Sequence, residues 1–416
     1  MMKKKLRVAI LFGGRSGEHE VSLLSAASVL QAISPGKYEV IPVGITKEGR
    51  WVTAVAADRL LKGVADRPAR PLRAGDPEST APAAVLWRGE AVVMPPVPAA
   101  SGAPASLTLL EVQAGADLTA PDKGRGKESG ALEIDVVFPV LHGTFGEDGT
   151  IQGLLELADI AYVGSGVVGS SAGMDKDVMK RLFKAAGLPI VQHVTLLRSE
   201  WQAHPKKAIK AIEAALKYPM FVKPANLGSS VGISKVHGRD ELGPAMDLAA
   251  GFDRKLVIEQ GVGGAKGKPR ELEVAVLGND SPEASVVGEI VPDKEFYDYE
   301  AKYLSEGSTP VIPARLTRAE SKQIREMAIA AFKACDCAGL ARVDFLMDPL
   351  PKPGSSARRK PRIYVNEINT MPGFTSISMY PKLWAASGVD YPTLIDRLIE
   401  LALERHKEKQ QTQFGR

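Results

Sequence analysis

RVAILFGGRSGEHEVSLLSAASVLQAI, residues 7–33, followed by YEVIPVGI at 38–45, decides the fold class. After its arginine the stretch Arg7 to Phe12 is apolar and stops at Gly13-Gly14, which is how a buried strand reads. Val21 to Ile33 then places its apolar residues at helical spacing, Pro35-Gly36 breaks the chain, and Tyr38 to Ile45 is strand-like again. A strand, a helix and a strand in close succession make a parallel crossover, so the chain opens on a parallel α/β layer.

Outward from this start the pattern weakens between about 51 and 130. PPVPAASGAPAS at 95–106 has the composition of neither helix nor sheet core, and the region reads as irregular hairpins and loops. Order returns with a strand at 134–140, a helix at 150–157, a short strand at 161–163 and a helix at 176–186 closed by Gly187. Strands at 220–223 and 232–236 flank a glycine-serine turn at 228–230, and 255–260, 271–277 and 286–290 read as antiparallel strands. A helix at 318–334 feeds strands at 341–347 and 363–369, separated by a basic hairpin tip at 350–362. A last helix runs from Tyr391 to about Glu404 and frays beyond. The change from parallel α/β to mostly antiparallel segments divides the chain into three lobes, 1–165, 166–255 and 256–416, a combination of α/β and α+β.

With 416 residues, 44% of them hydrophobic and 25% charged, the chain has the composition of a globular protein and not of a disordered one. Its net charge of +4 is spread along the sequence, which argues against a nucleic-acid partner. No apolar run approaches the ~20 residues of a membrane span. The basic start, Met1 to Arg7, leads into a five-residue strand and not a signal-peptide core, so a cytoplasmic location is expected. Cys335 and Cys337 lack the spacing of a metal knuckle or redox pair and read as reduced structural thiols.

The residues that carry chemistry cluster late in the chain. Arg342 and Asp344 share one strand face, as do Glu367 and Asn369, and adjacent strands would gather a guanidinium, two carboxylates and a carboxamide. Such oxygen ligands suit Mg²⁺, although a solvated strand face with an incidental ion pair has the same pattern. Lys223 ends an apolar strand and Lys176 starts a helix. Each could simply snorkel, but beside a metal face the pair reads as neutralising nucleotide phosphates. NLGSSVG at 226–232 has backbone amides to wrap a phosphate without being a Walker A motif, and GGRSGEHE at 13–20 lacks the third glycine of a dinucleotide fingerprint. Glu18 at the outlet of the first strand could meet an ammonium or merely face a helix N-terminus. His142, also after a strand, could orient substrate or hydrogen-bond the backbone.

Taken together, GGRSGEHEVSL (13–23), HGTFGEDGTIQG (142–153), MDK (174–176), KPANLGSSVG (223–232), EFYDYEAKY (295–303), ARVDF (341–345) and NEINTMPGFTSISMYP (366–381) closely resemble bacterial D-alanine-D-alanine ligases of the ATP-grasp superfamily. The resemblance spans nearly the whole chain and is weakest over 51–130 and 350–361. It implies an ATP-grasp fold behind an N-terminal parallel α/β lobe, with ATP and two Mg²⁺, Mn²⁺ able to substitute. The implied reaction joins two D-alanines through an acyl phosphate for peptidoglycan precursors, in a homodimer. By the same resemblance Lys176, Lys223 and Ser230 would serve the ATP phosphates, Glu259, Gln260 and Val262 the adenine, and Glu271 the ribose. Asp344, Glu367 and Asn369 would bind the metals. Glu18, with His142 nearby, would anchor the first D-alanine, and Ser229 and Tyr303 would link loops over it. Arg342 and the Gly373 amide would face the oxyanion, and Lys302, Ser378 and Met379 would receive the second D-alanine. Met379 stands where many members have leucine, a change of little volume. Tyr303 favours this reading over a D-alanine-D-lactate ligase. Retention of the metal and arginine motifs disfavours a catalytically dead ATP-binding module, and the missing fingerprint disfavours a dehydrogenase.

Overall fold

A computed structural model describes residues 4–53, 90–94, 105–110, 128–263, 268–292, 308–349, 361–375 and 377–413. The first elements in chain order are β1 (Leu6–Gly13), α1 (His19–Ala32), β2 (Tyr38–Ile45), β3 (Trp51–Thr53), β4 (Glu90–Val93), β5 (Ala105–Leu110), β6 (Glu128–Ile134) and β7 (Val136–Val140). Next come α2 (Thr150–Leu157), β8 (Ala161–Tyr162), α3 (Val167–Met174), α4 (Lys176–Ala185), β9 (His193–Leu197), α5 (Arg198–Ala203) and α6 (Pro205–Ala215). They are followed by β10 (Met220–Pro224), β11 (Ser234–Val236), α7 (Arg239–Phe252), β12 (Lys255–Gln260), β13 (Arg270–Gly278) and β14 (Glu283–Pro292). The chain closes with β15 (Ser308–Val311), α8 (Arg318–Ala334), β16 (Gly339–Met347), β17 (Ile363–Asn369), α9 (Met379–Ala386) and α10 (Tyr391–Lys409). Two compact units result, one of residues 1–167, 373–381 and 389–416, the other of 168–372 and 382–388.

In the first unit the sheet order is β6-β5-β4-β3-β2-β1-β7-β8 among the described residues. β1 lies parallel between β2 and β7, as the opening sequence requires, and Val8 to Phe12 are fully buried. The region expected to be irregular supplies β3, β4, β5 and β6, which pair antiparallel and extend the sheet beyond β2. Short strands of this kind are fixed by non-local pairing more than by their own periodicity. Gly13 has φ +90°, and a Cβ there would come within 2.2 Å of the Ile45 carbonyl oxygen, so only glycine lets the chain leave β1 beside β2. The last helix does not fray at Glu404 but continues to Lys409. Arg405 stacks over the Tyr162 ring at 4.2 Å and Lys409 pairs with Glu156, which ties the final turns down.

The second unit holds two sheets. β11-β10-β12-β9 are all antiparallel, so β12, just past the boundary drawn at 255, belongs with the strands before it. The other sheet, β15-β14-β13-β16-β17, is covered by α4 and α8. α8 starts at a capping box between Thr317 and Glu320 and buries Ile324, Met327, Ala328, Ala331 and Phe332, one stripe at helical spacing. Emptying one large position in it, Phe332→Ala, costs about 3–5 kcal/mol. The chain turns out of α8 through Cys335 and Cys337, neither in a disulfide and both buried in the same core. Burial pushes the Cys335 thiol up to about 12. Among the described residues no helix is long and apolar enough to cross a membrane.

Candidate functional site

The five-stranded sheet turns an apolar face to its core and a polar face away from it. Along β16 the buried Ala341, Val343, Phe345 and Met347 alternate with Arg342 and Asp344, as a two-residue period requires. β17 breaks that period. Val365 pairs with Phe345 and Glu367 with Asp344, which leaves Asn366 as the extra residue of a β-bulge. Unbroken alternation would carry Glu367 and Asn369 to the core side with Ile363 and Val365. The bulge instead puts them on the face of Arg342 and Asp344 and keeps Ile368 in the core.

On that face Asp344 stands opposite Glu367, and Arg342 opposite Asn369. Arg342 donates Nε and Nη2 to the two Asp344 oxygens, each at 2.7 Å, and its Nε lies 3.2 Å from Glu273 Oε2 on β13. Asn369 Nδ2 donates to Asp344 Oδ2 at 3.1 Å. Among the described residues no group of three or more His, Cys, Asp or Glu side chains is arranged to hold a metal. The face offers two carboxylates and a carboxamide, hard donors that fit Mg²⁺ when phosphate oxygens and water complete an octahedron.

A second cluster is buried. Asp175 caps α4 by accepting from the amides of Asp177 and Val178, and Lys255 Nζ lies 2.8 Å from Asp175 and 3.2 Å from Asp177. The Lys176 amide donates to the Ala225 carbonyl, so the start of α4 is fastened to the end of β10. Lys176 Nζ then reaches the Leu227 carbonyl at 2.6 Å, at the mouth of the glycine-serine loop. On β10, Lys223 donates to Glu259 Oε2 at 2.7 Å; the pair is diagonal across the β10–β12 ladder, where Phe221 faces Glu259. The other oxygen, Glu259 Oε1, lies 3.0 Å from Lys180 Nζ.

Burial sets the electrostatics here. It lowers the Lys176 and Lys180 ammonium groups from the usual lysine range, against the pull of Glu367 on the first and Glu259 on the second. Lys223 is equally buried, but Glu259 and Glu367 outweigh that cost and raise it. For Glu259, burial would raise the carboxyl, yet Lys180 and Lys223 prevail and hold it at about 2. Glu367 acts on both Lys176 and Lys223, so the buried cluster and the polar sheet face are electrostatically one region of this unit.

The loop at 228–232 has an unusual backbone. Ser229 and Ser230 both take left-handed conformations, φ 51° and 58°, and Gly232 follows at φ 70°. Two such serines in succession store strain of about 1–3 kcal/mol each, which clusters at ligand clamps. The Ser229 hydroxyl oxygen is buried with no hydrogen-bond partner among the described residues. Tyr303, its expected partner, and Lys302 lie outside the described residues. Gln260 closes β12 and accepts from the Lys217 amide, Val262 follows in the next turn, and Glu271 stands on β13 with Glu273, on the polar face.

The remaining expected residues belong to the first unit. Glu18 is the residue before α1 and is buried; its side chain does not cap the helix. A Cβ on Gly143, itself at φ +73°, would come 2.4 Å from Glu18 Oε2, so the glycine makes room for the carboxylate. Ser16 donates to the His142 carbonyl, and His142 Nε2 lies 2.9 Å from Ser25 Oγ. The Phe374 amide also reaches Ser25 Oγ, which ties the segment after Gly373 to α1. Ser378 Oγ is 2.8 Å from Thr375 Oγ1, and Met379 is buried at the start of α9. Glu20, two residues after Glu18, pairs instead with Lys47 at the surface.

Sequence reasoning missed Lys180, Lys255 and Glu273. Lys180 is four residues after Lys176 and so on its helix face, and Glu273 is two after Glu271 on one strand face; both spacings were available signals. Lys255 carried none, because its two aspartates lie far away in sequence.

The chain matches the descriptions "D-ala D-ala ligase N-terminus" over residues 7–165 and "D-ala D-ala ligase C-terminus" over 182–400. It is 46% identical to the D-alanine--D-alanine ligase of Chloroherpeton thalassium, over 98% of this chain and 99% of that one. It is 48% identical to that of Thermoanaerobacter sp., again over 98% and 99%. Among solved structures it is similar to the D-alanine-D-alanine ligase of Coxiella burnetii (TM-score 0.75, 32% identity, 98% and 97% covered). It is also similar to the VanG D-Ala:D-Ser ligase of Enterococcus faecalis (TM-score 0.74, 33% identity, 96% and 100% covered).

Proposed function

The chain belongs to the D-alanine–D-alanine ligase family, and from that premise we propose that it joins two D-alanines at the cost of one ATP, to supply the dipeptide for peptidoglycan precursors. Its fold is the ATP-grasp fold with a preceding parallel α/β lobe. The observation that carries the reading to individual residues is the bulge at Asn366, which turns Glu367 and Asn369 onto the face of Arg342 and Asp344.

A carboxylate is a poor acyl donor because its leaving group would be oxide. The first D-alanine carboxylate attacks the γ-phosphorus of ATP, ADP leaves, and the resulting acyl phosphate carries a good leaving group. The amine of the second D-alanine attacks that carbonyl, phosphate departs, and the amine loses its proton. Lys176 and Lys223 offset phosphate charge, and Glu259, Gln260, Val262 and Glu271 hold the nucleoside. Ser230 offers its amide to a phosphate oxygen. Asp344, Glu367 and Asn369 would hold two Mg²⁺, or Mn²⁺ in their place, whose chemistry is to neutralise the transferring phosphoryl group. Arg342 and the Gly373 amide serve the oxyanion. Glu18 takes the first ammonium with His142 beside it, Ser229 and Tyr303 close the loops, and Lys302, Ser378 and Met379 receive the second substrate. A homodimer working in the cytoplasm completes the reading.

Incubation with D-alanine, ATP and Mg²⁺, following dipeptide, ADP and phosphate together, tests it. Equal amounts of the three are expected, and stoichiometric AMP would overturn the acyl-phosphate route. Offering D-lactate and D-serine in competition as acceptors checks the second substrate; D-alanyl-D-alanine should dominate near pH 7.5, and predominance of another product would overturn that assignment alone.

A further inference from the structure

We propose that Lys180 is a positioning residue of the nucleotide site, which occupies one oxygen of Glu259 so that the charge of Lys223 is left for a phosphate. The inference rests on the reading above that Glu259 and Lys223 serve ATP. Lys180 is fully buried, with its Nζ 3.0 Å from Glu259 Oε1 and donating to the Asn366 carbonyl at 3.3 Å. Lys223 holds the second Glu259 oxygen at 2.7 Å. Two ammonium groups and one carboxylate carry one net positive charge. Without Lys180, the Glu259 carboxylate and Lys223 would cancel, and an incoming anion would meet a neutral pair. The second contact has its own consequence. Asn366 is the bulged residue of β17, left without a partner residue in the ladder, and its carbonyl is the group that accepts from Lys180. Lys180 therefore joins the end of β12 to the irregularity that sets which way Glu367 points.

Stability does not call for such a residue. A buried charge costs desolvation, and because Lys223 already serves as counter-ion to Glu259, the second ammonium is not needed to keep that carboxylate paired. A wholly buried lysine on a helix whose core neighbours are Met179 and Phe183 is better explained by what it does to Glu259 and the bulge.

The test is Lys180→Met, in which an unbranched apolar chain of similar length fills the space. KM and the equilibrium affinity for ATP in the presence of Mg²⁺ should worsen about tenfold or more, the KM for D-alanine should stay within about twofold, and the thermal midpoint should not fall. Lys180→Gln, which keeps a donor and drops the charge, should lose ATP affinity in the same way and decides the matter if the methionine variant folds poorly. The discriminating readout is coupling. In a Glu259→Gln background, Lys180→Met should change ATP affinity less than it does in the parent, because the route through Glu259 is gone and only the contact with Asn366 remains. Unchanged ATP affinity in the single variants, or losses that add in the double one, would reduce Lys180 to a packing residue and overturn the proposal. Lys223→Met keeps the two readings apart: if it binds ATP like the parent, the nucleotide reading of the cluster falls, whereas a weak Lys223→Met beside a silent Lys180→Met and Lys180→Gln defeats the positioning role alone.

Discussion

The Glu259 carboxylate is 4% exposed and closed between two ammonium groups from α4 and β10, while Asp344, 14% exposed, lies on an open sheet face and is partnered by Arg342 two residues along its own strand. Both carboxylates belong to the second unit and both are paired, yet they are built for different work. A carboxylate sealed with its counter-ions cannot exchange them without exposing a buried charge, so Glu259 is a fixed part of the scaffold. Asp344 and Glu367 face each other across β16 and β17, on the sheet face to which the proposed function assigns the metal. On the function proposed above, rigidity would sit where the nucleoside is oriented, and the less enclosed charge where metal and phosphate arrive and leave.

Removing the less enclosed charge should hurt chemistry without hurting the fold. Glu367→Gln is expected to lower turnover about a thousandfold, the loss of several kcal/mol of charge neutralisation, with a thermal midpoint close to the parent's. Parent-like turnover at limiting Mg²⁺ would show that this face is not where metal acts. Glu259→Gln should do the opposite and destabilise by about 3–5 kcal/mol in urea titrations, because two buried ammonium groups lose their counter-ion; a change below about 1 kcal/mol would erase the distinction.

Acid sharpens the same contrast. Glu259 sits at about 2 in the folded protein against an ordinary 4.5, so its contribution is full above about pH 4.5 and is lost as pH falls toward about 2. Stability followed by urea midpoint should decline over that window, and less steeply in Glu259→Gln; equal slopes would mean that other carboxyls carry the loss. The smallest effect belongs to a pair at the surface. Lys47, with a 53% exposed side chain, meets Glu20 at 2.5 Å, and Lys47→Met should move stability by no more than about 0.5 kcal/mol.

Much of this was legible in the residues. ARVDF alternates so cleanly that its letters alone put Arg342 and Asp344 on one face, and the pairing of β16 with β17 follows from two adjacent apolar strands. The bulge left only a trace in the letters of IYVNEIN, where Ile363 and Val365 share one parity and Ile368 the other, and the register to Phe345 identifies Asn366 as the extra residue. Lys180 left only its four-residue spacing from Lys176 as a signal: a lysine near the start of an amphipathic helix otherwise looks solvated, and its partners Glu259 and Asn366 are distant in sequence. The two left-handed serines were out of reach, because serine carries no preference for that backbone. β4 to β6 needed pairing partners that local composition cannot name.

The chain holds only two thiols, and both are shut behind α8 in the core of the second unit. A reagent that modifies cysteine finds little thiolate at Cys335 while that core is closed, since burial suppresses its ionisation. Chemical modification of Cys335 therefore proceeds at the pace at which this core opens. The protein carries its own clock for local unfolding, readable by mass on the unaltered sequence, and the first unit, which has no cysteine, runs silently beside it.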